Sequence, residues 1–238
     1  MGQTMHISLL HDLNTARSER RTCMVVTDLT TVQSELVFPE LDHRYPELAQ
    51  AIAEHFASGT SGEAMAGSVP YFLRTHIPPL RIVVIGAVHI AQALVSIAAT
   101  LGYETVIVDP RTLFASKERF PTAQLITDWP KDALPTLWID RATACIMLTH
   151  DPKLDDDALR YALQRDCFYI GALGSRKTHA KRIARLQQAG IPMDQIERIH
   201  APIGLAIGAL TPEEIAVSII AEIVATWRSD RVALKALT

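Results

Sequence analysis

The chain has 238 residues, of which 48% are apolar and 21% charged, with a formal net charge of -3. That length suits one domain of about 150 residues beside a smaller one, and the slightly positive mean hydropathy suits strands buried on both faces. The charge balance lacks the excess of Lys and Arg that general nucleic-acid binding requires, so no nucleic-acid partner is expected. Three cysteines, Cys23, Cys145 and Cys167, form neither a C-x-x-C pair nor an even disulfide set, which fits a reducing cytoplasm. The first twenty residues are too polar for a signal peptide, and no stretch reaches eighteen uninterrupted apolar residues. The expectation is a soluble, cytoplasmic protein with no membrane segment.

Apolar spacing over residues 4–19 predicts a helix, followed by short strands at "TCMVVTDL" and "SELVF" and a helix over 45–59 stopped by Gly59. "SGTSGEAMAGS", residues 58–68, reads as a small, flexible stretch. From Arg74 to Pro79, "RTHIPP" cannot easily continue a helix or a central strand, because its two prolines lack a donor and fix φ. The domain boundary is placed there, giving a small amino-terminal α+β domain over 1–75 and a second domain over 80–238. After residue 80 strands ("RIVVIG", "ETVIVD", "AQLIT", "ATACIMLTH", "CFYIGALG") alternate with helices over 89–101, 152–165 and 175–189. This is the pattern of an α/β fold, a Rossmann-like doubly wound parallel sheet. The last helix, over 211–227, has a strong start: Thr211 as cap, Pro212 at the first position and Glu214 closing a capping box.

Four loops could carry chemistry. "VVIGAVHIAQAL" enters Gly86 from a β-branched run and leaves as a helix, as a phosphate-binding turn does, but Val88 stands where the second glycine of G-x-G-x-x-G belongs. His89 lies at that helix mouth, and Asp109 ends the next strand where a ribose-binding carboxylate belongs; a degenerate turn with a simple strand end is the alternative. In "YIGALGSRKTHAKRIARLQQAG", Gly171 and Gly174 let the backbone bend, and Ser175, Arg176 and Lys177 could meet an anion. Basic residues at a helix start oppose its dipole, so helix stability alone does not explain them. Lys181, Arg182 and Arg185 read instead as a solvated basic face. "LTHDP" puts Thr149, His150 and Asp151 at a strand's carboxyl end, Asp151 being equally a helix cap. "RIHAPIGLAIGALTPEE" offers His200 and Gly204, or merely a loop that needs turns. The separate histidines lack metal-ligand spacing, so no metal site is expected, and no catalytic residue stands out.

Together, "GAVHIAQAL", "VIVDPR", "ERFP", "LTHDPKLD", "YIGALGSRKTHAKRIARL" and "RIHAPIGLAIGALTPEEIAVSIIAEIVA" resemble the carboxyl-terminal domain of the XdhC/CoxI family over residues 80–226. Val88 departs from the family's G-A-G-H turn; residues 1–75 are short and lack the glycine-rich, cysteine-bearing segment of its amino-terminal domain, and "FPELDHRYPELAQAIAEHFASGTSG" resembles only the end of that domain. The resemblance implies a maturation factor that binds molybdenum cofactor, as molybdopterin or its dinucleotide form. It also implies support of the cofactor's sulfuration with a cysteine desulfurase, and delivery to a molybdenum hydroxylase apoenzyme of the xanthine dehydrogenase type. On that reading Gly86, His89, Asp109, Thr149, His150, Asp151, Gly171, Gly174, Ser175, Arg176, Lys177, His200 and Gly204 form the cofactor site. Two rivals are an NAD(P)-dependent oxidoreductase, with Asp109 on ribose and His150 or His200 as proton donor, and a ligand-free docking partner of the dehydrogenase. An apolar last helix leads to the expectation of a homodimer.

Overall fold

The computed structural model describes residues 7–39 and 44–236, with side chains described as far as residue 229 in the last helix. The chain divides into two compact units, one built from residues up to Pro78 together with those from Arg228 onward, the other from Pro79–Trp227.

In the first unit, α1 (Ile7–Ser18), β1 (Cys23–Asp28), β2 (Ser34–Val37), α2 (Ala49–Ser58), β3 (Gly62–Ala66) and β4 (Val69–His76) follow in order. The four strands form an antiparallel sheet in the order β2-β1-β4-β3. Strand side chains alternate between faces. Met24 and Val26 therefore pack with Leu48 and Ile52 on one side, while Cys23 and Val25 pack with Leu9, Leu13 and Ala16 on the other. The predicted helix start at residues 4–6 lies outside the described residues. Two expectations are corrected. "GEAMA" is an ordered strand whose Ala64 and Ala66 pair with Tyr71 and Val69, joined to β4 by a tight turn at Gly67 (φ +57°). Small residues carry little strand propensity of their own, and pairing supplies what propensity does not. Arg74, Thr75 and His76 also continue β4, a central strand, because Pro78 restricts the residue directly before it, Ile77, and not those further upstream.

The second unit runs β5 (Arg81–Ile85), α3 (His89–Thr100), β6 (Glu104–Val108), β7 (Gln124–Ile126), α4 (Pro130–Ala133), β8 (Thr143–Met147), α5 (Pro152–Leu163), β9 (Tyr169–Ala172), α6 (Arg176–Gln188), α7 (Met193–Ile196), β10 (Ile199–His200) and α8 (Pro212–Ala236). Its six strands are parallel, in the order β7-β6-β5-β8-β9-β10. This is the doubly wound Rossmann order, which reverses between β5 and β8. Ile82 and Val84 face α3 and the Ala216, Ile219 and Ile223 stripe of α8, while Val83 and Ile85 face α5 and α6 through Leu154, Leu159 and Leu186. The capping box forms: Glu214 N–H donates to Thr211 Oγ1 at 3.2 Å, and Thr211 N–H donates to the Glu214 carboxylate at 3.1 Å. Among the described residues no helix is long and apolar enough to cross a membrane.

Ile219, fully buried between α8 and the sheet, tests that layer. Ile219→Ala should cost about 3 kcal/mol, read as a lower urea midpoint at unchanged slope.

Candidate functional site

Parallel register sets the site. Ile85 pairs with Met147, Met147 with Ala172, and Gly171 with His200, so the loops that begin at Gly86, Leu148, Leu173 and Ala201 leave the sheet along one edge. In an open α/β sheet a ligand sits outside that edge where the strand order reverses, here between Gly86 and Thr149.

Gly86 has φ +110°, a conformation other residues rarely adopt, and a Cβ there would lie 2.5 Å from Thr149 Cγ2. Val88 needs no such freedom. Its φ of -88° and ψ of 174° are ordinary extended backbone, and α3 begins directly after it without a side-chain cap. The residue between the two is held from both ends. Ala87 N–H donates to Asp109 Oδ2 at 2.8 Å, and Ala87 C=O accepts from Arg119 Nη1 at 2.8 Å. His89 is exposed on the first turn of α3.

Asp109 does not present itself to a ribose. Its side chain is wholly buried, and its oxygens also accept the Arg111 backbone N–H, Nε and Nη2 at 2.7–2.9 Å. Burial pushes the Asp109 carboxyl up, but the bonds from Arg111 and Ala87 outweigh it and hold the group below the ordinary carboxylate range. The half-exposed Arg111 guanidinium, oriented by this carboxylate and 4.9 Å from the Phe114 ring, is the exposed member of the pair. It also feels the charges of Asp151 and Asp155 from the far side of the notch.

At β8, Thr149 Oγ1 donates to Asp155 Oδ1 at 2.6 Å and accepts Asp151 N–H at 3.0 Å. Asp151 caps α5, taking Lys153 N–H at 2.9 Å, and so serves the helix. Between them His150, exposed, holds a left-handed φ of +63°, uncommon for a non-glycine. Its Nδ1 lies 3.7 Å from where a Gly174 Cβ would stand. Ser175 likewise caps α6, accepting Thr178 N–H at 3.2 Å. Gly171 is a packing position inside β9, where a Cβ would press on Ile203 and Tyr169. Lys177 lines a cavity of about 260 Å³ with His150, Thr178 and Lys181; exposed Arg176 does not line it.

The solvated basic face is corrected at two positions. Arg182 is 2% exposed, donates from Nη2 to Leu173 C=O at 2.9 Å and faces the buried Asp155 at 3.9 Å. Arg185 is paired with Asp156 across α5 and α6 at 2.5 Å. Helical spacing contained the signal for the first: Arg182 lies four residues before the buried Leu186, on the inward stripe of α6. A larger hollow of about 460 Å³ lies over α4, α5 and α6; on its wall Asp156 pairs with Arg185 and Asp157 with Arg160, beside Lys131 and Lys153.

His200 and Gly204 come together at a third place. Glu222 of α8 accepts Gly204 N–H at 2.7 Å, lies 3.2 Å from His200 Nδ1 and receives the Tyr169 hydroxyl, while the Tyr169 and His200 rings stack 4.5 Å apart. A Cβ on Gly204 would lie 2.4 Å from Ser218 Oγ, so this glycine closes the loop onto α8. Sequence reasoning misses Glu222, although an acid inside the apolar run "SIIAEIVA" is its signal.

A six-stranded parallel sheet in this order, with helices on both faces, defines a Rossmann-type domain. The chain belongs to the XdhC family: the family model described as the XdhC Rossmann domain matches residues 82–223. It is 33% identical over 156 residues to a probable xanthine dehydrogenase subunit of Bacillus subtilis, covering 65% of this chain and 45% of that one. It is 33% identical over 146 residues to the molybdenum cofactor insertion chaperone PaoD of Escherichia coli, covering 61% and 40%. The uncharacterized protein YqeB of Escherichia coli is 28% identical over 183 residues, covering 77% and 34%. A crystal structure of a xanthine dehydrogenase from Bacillus halodurans superposes with a TM-score of 0.69 at 28% identity, covering 94% of this chain and 68% of that one. The chain spans less than half the length of these curated relatives.

Asp109→Asn should remove about 2 kcal/mol of stability at neutral pH, because the bonds from Arg111 and Ala87 lose their charged acceptor. Because the folded state binds the Asp109 proton more weakly than the unfolded chain does, that contribution is complete above the ordinary carboxylate range. It is lost as pH falls through the depressed value, so urea midpoints of the two proteins should converge in acid and separate at neutrality.

Proposed function

We propose that this chain binds molybdenum cofactor, supports its sulfuration with a cysteine desulfurase, and delivers it to an apoenzyme of the xanthine dehydrogenase type. The observation that carries the reading is the cation-lined hollow between the starts of α5 and α6, beside the carboxyl ends of β8 and β9, in an XdhC Rossmann domain. The names borne by two relatives, a molybdenum cofactor insertion chaperone and a probable xanthine dehydrogenase component, support it.

The residues present fit the anionic end of such a molecule. His150 and Thr178 offer polar hydrogens, and Lys177 and Lys181 offer cations that have no ion-pair partner among the described residues. Bound there, the cofactor would bring its own molybdenum and sulfur chemistry. This chain's residues hold, orient and shield. The donor set contains no thiolate, since Cys23, Cys145 and Cys167 are all buried, and burial pushes the Cys23 thiol up to about 11. Sulfur supply therefore falls to the separate desulfurase in this reading. The same donor set and the position of the hollow argue for capture, with no catalytic step assigned to the chain.

Nicotinamide binding is the second reading, favoured by the strand order and by Gly86 at φ +110°, and opposed by an Asp109 whose oxygens are all engaged. Chain purified from cells that make the pterin should release it on denaturation, as identified by mass spectrometry, and should raise the activity of a xanthine dehydrogenase-type apoenzyme when added to it. Saturable NADH or NADPH binding without released pterin would replace this reading with the second. Binding of none of these, with the apoenzyme still retained, would leave a docking partner.

A further inference from the structure

Arg182 poses a problem that the fold does not solve. It sits four positions before Leu186 on the inward stripe of α6, is 2% exposed, and satisfies only Nη2, through Leu173 C=O at 2.9 Å. Its Nε and Nη1 are buried without a hydrogen-bond partner among the described residues. Asp155 stands 3.9 Å away, too far to bond, with one of its oxygens taken by the Thr149 hydroxyl. A buried guanidinium with unused N–H groups is costly, and folds leave such groups rarely.

The surroundings do not relieve this cost from within. Arg182 forms part of the wall of the 260 Å³ cavity, where Lys177, Lys181 and Arg182 face a single carboxylate, Asp155. Arg185, the remaining cation on that wall, is neutralised by Asp156. The Asp155 carboxyl is pushed up and the Arg182 guanidinium pulled down, each by burial, so both ions are poorly solvated here. The first turn of α6 adds its positive dipole end beside Thr178. Charge excess, unused fixed donors and a helix start thus converge on one hollow, which is the donor arrangement that a phosphoryl group satisfies.

We propose that the hollow between the starts of α5 and α6 is a phosphoryl-oxyanion site, with the buried Arg182 guanidinium in its wall and Lys177, Lys181 and Thr178 around it. The hollow is larger than one phosphate group, so the oxyanion is the end or the middle of a larger molecule. This deepens the cofactor reading by assigning its charged part to Arg182 and Lys181, in place of Arg176, and rests on that reading only for the identity of the molecule.

The test is calorimetric titration of the full chain with glycerol phosphate and with pyrophosphate at constant ionic strength. Saturable binding is expected; preference for the monoester marks a terminal phosphate, and preference for pyrophosphate a bridging one. Lys177→Gln with Lys181→Gln should weaken binding at least tenfold with the urea midpoint unchanged. Arg182→Lys, which keeps the charge and loses the fork, should weaken it too, whereas Arg176→Gln should not change it. No saturable binding of either probe, or equal losses from Arg176→Gln and the lysine pair, would overturn the site. Phosphate binding here by a chain that releases no pterin would sink the cofactor reading alone. Pterin retained undiminished in the lysine double variant would sink the oxyanion site alone.

Discussion

The hydrogen bond from Ala87 N–H to the buried Asp109 carboxylate is the contact on which the rim of the second unit depends. A glycine-poor turn between a strand and a helix has to fix its peptide plane by other means, because Val88 cannot enter the conformations open to glycine. Asp109 holds the peptide before Ala87, Arg119 holds the one after it, and the positive φ of Gly86 makes the reversal possible. Remove the carboxylate and three parts lose their reference at once: the turn, the Arg111 side chain, and the end of β6.

A comparable arrangement stands on the opposite side of the notch. Thr149 bonds Asp155, Asp155 faces Arg182, and Arg182 reaches the carbonyl of Leu173 at the end of β9. Each side thus uses a buried acid to position an arginine, but they differ in saturation. Arg111 and Asp109 satisfy one another almost fully and leave the guanidinium half exposed. Arg182 and Asp155 remain short of partners inside the protein. Buried charges seldom add net stability, and a pair that is kept in spite of its desolvation cost often serves specificity.

Most of the architecture was legible because buried strands and amphipathic helices announce themselves by period. The alternation after residue 80, the Thr211 and Glu214 box, and the convergence of the loops after β5, β8 and β9 all follow from that. What escaped was set by pairing and by direction. "GEAMA" lacks the side chains that mark a strand and exists through its ladder to β4. Asp109 and Ser175 sit where ligand contacts were expected, yet their oxygens are turned to the chain's own amides, a matter of rotamer that residue type does not encode. Glu222 and Arg182 passed as parts of helix faces although each interrupts an inward stripe, a signal in the spacing that residue type alone overrides.

The sealed state of Cys23, Cys145 and Cys167 has a consequence for handling soft, sulfur-rich ligands. A surface thiolate beside a persulfide would attack its sulfur–sulfur bond, expel hydrosulfide and leave the guest held in a mixed disulfide. With the sulfur of these three cysteines confined to the interior, a guest of that kind would meet oxygen and nitrogen groups alone, and its release would need no reductant.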